Sequence, residues 1–180
     1  MDAFGDNNLT RQATIEWLKG FDTNNFEWVT LLFRQRARRE CVDGVVRFDT
    51  LDEIKASRCL RGFLNRLNQK IFQNEYRRNN KGLRVLPFLE RKNGNYHYHI
   101  GIENPFEGDV GRAQFIALMR LYWGRNPFAF VERVDPKTGC YGERAVKVIE
   151  TYNDRWIDYC LKYAANNTNE PDYNNLRLGS

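Results

Sequence analysis

Apolar residues follow two rhythms along this chain, one of period two and one of helical spacing, and together they predict an ordered run of strands and helices. Residues 26–34 (FEWVTLLFR) are rich in β-branched and aromatic types and predict a strand. Over 51–78, Leu51, Ile54, Leu60, Phe63, Leu64, Leu67 and Ile71 recur at helical spacing. Thr50 or Asp49 is the expected cap of that long helix, and Asn79, Asn80 and Gly82 are its expected stop. Residues 83–91 (LRVLPFLER) and 95–103 (NYHYHIGIE) predict a hairpin. Lys92-Asn93-Gly94 sits between them, and Asn-Gly tolerates the positive φ of a tight hairpin turn.

Weaker signals fill the rest. Residues 10–19 (TRQATIEWLK) predict a short amphipathic helix capped by Thr10. A helix is expected over 110–122, strands over 127–134 and near 145–149, and a last helix over about 153–165 (NDRWIDYCLKYAA). A turn at 135–139 separates the two strands, and the Asn-rich tail 166–180 is expected to be loosely ordered. The basic run Arg34, Arg36, Arg38, Arg39 is expected to end the first strand or open a loop. Hairpin-joined strands with helices on one face predict an α+β fold, an antiparallel sandwich. With no internal repeat and no dividing linker, 1–180 is expected to be a single domain with its core at about 26–165.

Composition narrows this picture. The 180 residues are 42% hydrophobic and 14% aromatic, which excludes a disordered chain and a collagen-like repeat. No apolar run is long enough for a transmembrane helix, and MDAFGDNNLTRQ has no apolar stretch of a secretory signal. A formal net charge of +5 permits nucleic-acid binding without requiring it. Cys41, Cys59, Cys140 and Cys160 form no CxxC pair, so reduced thiols are expected rather than a zinc finger.

The chemistry gathers at two places. The chain has two histidines, His97 and His99, on one predicted strand. Residues i and i+2 of a strand share a face, about 7 Å apart at Cα, so both imidazoles can chelate one divalent cation. Glu90 on the preceding strand is a third ligand within reach across the hairpin, and Glu103, on the histidine strand with the same parity, is its rival. A carboxylate with two imidazoles suits Mg²⁺ or Mn²⁺ and leaves positions for a phosphate oxygen. In the last helix Trp156, Tyr159, Lys162 and Tyr163 share a face. A phenol is a weak nucleophile, and a neighbouring Lys⁺ stabilises its phenolate and the phosphate charge. The plainer readings are hydrogen-bonded histidines in a sheet and aromatics packed on it.

Tyr96-His97-Tyr98-His99-Ile100 resembles the metal motif of the HUH endonuclease superfamily, and Tyr159-Cys160-Leu161-Lys162 resembles the YxxK motif of rolling-circle replication initiators. Trp28-Val29-Thr30-Leu31-Leu32-Phe33 resembles the apolar, Thr-containing first motif of the same proteins. The three stand in the family's order across about residues 26–165. The resemblance implies the HUH nuclease fold, with an antiparallel, ferredoxin- or RRM-like central sheet of about five strands and helices packed on it. It implies His97, His99 and Glu90 as ligands of Mg²⁺ or Mn²⁺. It implies Tyr159 as the nucleophile that joins a 5′ phosphate of single-stranded DNA, with Lys162 assisting. Tyr163, one turn on, resembles the second tyrosine of two-tyrosine phage initiators.

The implied function is site-specific nicking and joining of single-stranded DNA that initiates rolling-circle replication of a virus, phage or plasmid. A host helicase or polymerase is a further implied partner. The implied location is the cytoplasm, or the host nucleus for a eukaryotic virus. Arg34, Arg36, Arg38, Arg77, Arg78 and Lys81 are candidate DNA contacts. No GxxxxGK[ST] sequence of a helicase is present. The alternatives are a transposase or relaxase of the same superfamily, a non-catalytic single-strand-binding module, and a structural metal site, which would need four protein ligands.

Overall fold

The computed structural model describes residues 16, 20, 22–130, 145–149 and 169–177. Its elements, in chain order, are β1 (Phe26–Leu32), β2 (Arg36–Glu40), β3 (Val46–Thr50), α1 (Glu53–Phe72), α2 (Asn74–Arg78), β4 (Val85–Lys92), β5 (Asn95–Glu103), α3 (Gly108–Trp123), β6 (Val146–Val148) and β7 (Asn169–Pro171). Five of the strands form one antiparallel sheet in the order β6-β1-β5-β4-β7, and β2 and β3 form a separate two-stranded ribbon. The class is therefore α+β, as the patterning predicts.

Alternation divides the sheet into two faces. Val29 and Leu31 of β1, Val85 of β4, and Tyr98, Ile100 and Ile102 of β5 point to one side. There they meet Leu60, Phe63 and Leu67 of α1 and Phe115, Met119 and Trp123 of α3 in one apolar core. Trp123 packs edge-on against Phe63 and Phe33, and its indole N–H donates to the Leu32 carbonyl at 3.2 Å. The other side carries Trp28, Leu86 and Phe88, also buried, together with the two histidines.

On that second face the ring of Trp28 lies over Gly101, its partner across the β1–β5 ladder. A Cβ on Gly101 would come within 2.4 Å of the indole. Gly101→Ala is expected to destabilise the protein by about 1–3 kcal/mol, the usual penalty of overpacking, read as a lowered midpoint in a urea melt.

Three expectations are corrected. The long helix ends earlier: α1 stops at Phe72, Gln73 takes a positive φ of 49°, and α2 restarts beyond it with no buried residue. After Ile71 and Phe72 there is no further apolar position to bury, so nothing holds the chain on the helix axis. The cap is Asp52, whose carboxylate accepts from the Lys55 amide at 2.7 Å, rather than Thr50 or Asp49. The tail is ordered over 169–177, not loose: β7 pairs with β4, and Arg177 exchanges two backbone hydrogen bonds with Val85. Asp172 and Asn175 are bonded into the fold, with Asp172 accepting from the Tyr98 hydroxyl and the Asn175 amide, both at 2.6 Å.

Of the helix expected over 10–19 only Glu16 is described, and it is helical. Of the strand expected over 127–134, residues 127–130 are described and contribute an isolated bridge, Phe33 to Ala129. The turn at 135–139 and the helix at 153–165 lie outside the described residues.

Candidate metal centre

The tight turn between β4 and β5 sets the geometry of the site. Asn93 and Gly94 adopt φ of 52° and 80°, and Lys92 pairs with Asn95 across the two-residue loop. Counting back from this turn puts Glu90 directly opposite His97. The pleat turns Glu90, His97 and His99 to one face and Leu89, Tyr96 and Tyr98 to the other.

One carboxylate oxygen of Glu90 meets both rings, at 2.5 Å from His97 Nε2 and 2.9 Å from His99 Nε2. The rings stand nearly perpendicular, with centroids 4.8 Å apart. Glu90 is 3% exposed and His99 6%, so a carboxylate has been taken out of water and needs compensation. Burial raises its pKa, but the hydrogen bond from His99 and the two imidazoles outweigh that and hold it below the usual carboxylate range. Burial pushes His99 down from its ordinary value, with His97 adding to the effect and Glu90 opposing it.

A fourth residue orients the set. Thr30 pairs with His99 across the β1–β5 ladder, and its hydroxyl lies 3.0 Å from His99 Nδ1. A cation at Nε2 would replace the hydrogen bond to Glu90, and the ring proton would then sit on Nδ1 and donate to Thr30 Oγ1. Thr30→Val is therefore expected to weaken Mn²⁺ binding by about 10- to 100-fold without loss of the fold, measured by isothermal titration with a melting curve alongside. The sequence motif contains Thr30 but does not assign it this contact. The available signal was parity, since Thr30 is the hydroxyl on the histidine face of an otherwise apolar stretch.

The donor set fits a divalent cation. Its ligand atoms all lie within 4.8 Å of one another. The 2.9 Å contact is close to the roughly 3.0 Å edge between neighbouring ligands of an octahedral ion with 2.1 Å bonds, while the 2.5 Å contact is shorter and the 4.8 Å span of the group is wider. Three protein ligands on one side leave positions open for water or substrate oxygen.

Glu103 is not part of this centre. It shares the face of the histidines but stands farther along β5, where Arg84 holds it through a side-chain ion pair at 3.2 Å and a backbone N–H at 3.2 Å.

The basic candidates separate into two groups. Arg36 and Arg38 lie on the β2–β3 ribbon, which Arg34 precedes. The root of that ribbon is next to the site, because the Gln35 side-chain amide both accepts from the Tyr96 N–H and donates to the Tyr96 carbonyl. Arg77 and Arg78 lie on α2, and Lys81 is paired with Glu75 at 2.8 Å. This second group precedes β4, whose residues from Val85 to Glu90 cover about 17 Å, so the fold does not bring it to the histidines. Tyr159, Lys162 and Tyr163 lie outside the described residues.

No protein-family model, curated protein or solved structure matches the chain. Among the described residues, no helix is long and apolar enough to cross a membrane.

Proposed function

We propose that the protein is a metal-dependent single-stranded DNA endonuclease of the HUH type that initiates rolling-circle replication, with Tyr159 as nucleophile. The observation that carries this reading is the Glu90–His97–His99 cluster, three ligands converging on one face of the central sheet with Glu90 and His99 buried.

Topology supplies the second support. β1 and β4 are parallel, as are β5 and β6, and the helices linking each pair both pack on the core face. β6 and β7 are parallel as well, at opposite edges of the sheet. Crossovers between parallel strands are right-handed in nearly all proteins. From β1 to β4 the chain moves one way across the sheet, and from β5 to β6 it moves the other way with the strand direction also reversed. Equal handedness therefore puts both linkers on one face. Neither of these two helices lies on the face that carries the histidines, and the segment that carries Tyr159 joins the two edge strands β6 and β7.

Tyr159 is midway between Ile149, after β6, and Asn169, at the start of β7.

In this reading a cation held by Glu90, His97 and His99 supplies Lewis-acid polarisation of the scissile phosphate. The Tyr159 oxygen forms a bond to phosphorus while the P–O3′ bond breaks, and the departing 3′ oxygen takes up a proton. The products are a 5′-phosphotyrosine and a free 3′-OH. Lys162 stabilises the phenolate and the charge on the phosphate. Tyr163 is a second phenol one helical turn away, suited to a rejoining step. A transposase or relaxase would use the same groups on a different DNA target.

The test is incubation with a labelled single-stranded oligonucleotide library and Mn²⁺, followed by denaturing electrophoresis. A shifted, denaturation-resistant protein–DNA species that EDTA prevents is the expected result. Binding that is independent of metal and leaves no adduct would make the protein a non-catalytic single-strand binder.

A further inference from the structure

We infer that the β2–β3 ribbon is an arm that enters a groove of duplex DNA beside the nick site, gripping phosphates with arginines on both of its faces. This rests on the nuclease reading for its setting, and its own evidence is in the ribbon.

The ribbon pairs with no other strand among the described residues. A two-stranded hairpin is marginal in water by itself, so this one depends on its root. Ala37 is buried in the main core, the Leu51 N–H donates to the Gln35 carbonyl, and the Gln35 side chain is clamped to Tyr96, the residue before His97. Beyond the root the ribbon is exposed along its length.

Its charge is unusual. Residues 34–50 carry five arginines against three carboxylates. The ladder sets Arg39 directly opposite Arg47, and like charges facing each other across a strand pair are unfavourable. Asp43 reaches Arg47 only at 3.7 Å in an exposed pair, which compensates weakly. An anion between the two guanidiniums would turn this repulsion into a clamp, and a phosphate suits their fork geometry. The reverse face presents Arg36 and Arg38, the latter in an exposed pair with Glu40 at 2.9 Å, with Phe48 opposite Arg38 and 65% exposed.

Cations on both faces fit a groove, where anionic backbone lies on either side, better than a single strand lying along one face. The major groove is about 12 Å wide and admits a two-stranded ribbon. The side chains of Phe48, Val46 and Val42 offer apolar contact to thymine methyls and sugars.

The experiment compares wild type with the double variant Arg39→Gln/Arg47→Gln by fluorescence anisotropy over a range of salt. The probes are a DNA hairpin carrying a single-stranded tail and the tail alone. The expected result is a loss of about tenfold or more on the hairpin probe. The slope of log affinity against log salt should fall by about two, and the tail alone should bind as before. A Lys pair at the same positions keeps the slope, and an unchanged melting curve certifies the fold. Equal loss on both probes would make the ribbon a single-strand contact, and no loss on either would remove it from the DNA interface; both outcomes overturn the inference. Adduct formation by wild type is scored separately. A selective loss on the hairpin probe with no adduct would sink the nuclease reading and leave the arm standing.

Discussion

Replacing Tyr159 with Phe is expected to abolish the covalent protein–DNA adduct and to lower strand cleavage by about 10⁴-fold or more, since it removes the attacking oxygen. Mn²⁺ binding should be unchanged, because the Glu90–His97–His99 cluster is built entirely from β4 and β5. Tyr163→Phe should retain cleavage of the first strand and lose, at most, a rejoining step. Denaturing gels with end-labelled oligonucleotide read each of these outcomes. If Tyr163→Phe alone removes the adduct, the nucleophile has been assigned to the wrong phenol. If neither substitution matters, tyrosine chemistry is excluded.

The second large effect belongs to the ligands. Glu90→Ala or His99→Ala should weaken Mn²⁺ binding by about 100-fold or more, beyond the usual loss when only an outer partner of a ligand is removed. Cleavage should fall in parallel. Acid acts on the same groups. The metal-free folded state holds His99 below its ordinary value of 6.5, whereas the unfolded chain takes up that proton near 6.5. The stability contributed by neutral His99 is therefore complete above about pH 6.5 and is lost as pH falls towards its lower folded value. Glu90 acts in the same direction at lower pH, since its folded pKa is also depressed: its contribution is complete above about pH 4.5 and declines below. Melting temperatures of metal-free protein should drop from pH 7.5 to pH 5.5, and less so in His99→Ala. A melting temperature that rises on acidification would contradict the burial of a neutral imidazole.

The site was legible where local rules determine geometry. Asn93-Gly94 announces a two-residue turn, a two-residue turn fixes register, and register puts Glu90 opposite His97. Only counting was needed, and the competing Glu103 was separated from the site by Arg84, a partner that no local pattern reveals. β1 and β5 were legible for a similar reason, because each carries a long apolar or alternating run with one buried face. The β2–β3 ribbon was read as a strand end and loop because charged and apolar residues mix along it, and strands that bury almost nothing have no period-two signature. β7 was missed because Asn169-Glu170-Pro171 has no strand propensity; it is a strand because the edge of β4 offers unpaired backbone groups. The break at Gln73 is likewise a tertiary event, set by where the apolar stripe of α1 runs out.

The short loop at Asn93-Gly94 also ties chemistry to folding. On β4 and β5 the residues of the Glu90–His97–His99 cluster alternate one by one with residues of the helix-side core, so Glu90 neighbours Leu89, and His97 and His99 flank the fully buried Tyr98. Adding one residue to the loop would shift the ladder and exchange the two sides, turning imidazoles into oil and a buried phenol towards the opposite surface. Evolution can silence this centre by a point change at a ligand, but it cannot retune the spacing of the ligands by lengthening the loop without dismantling the molecule.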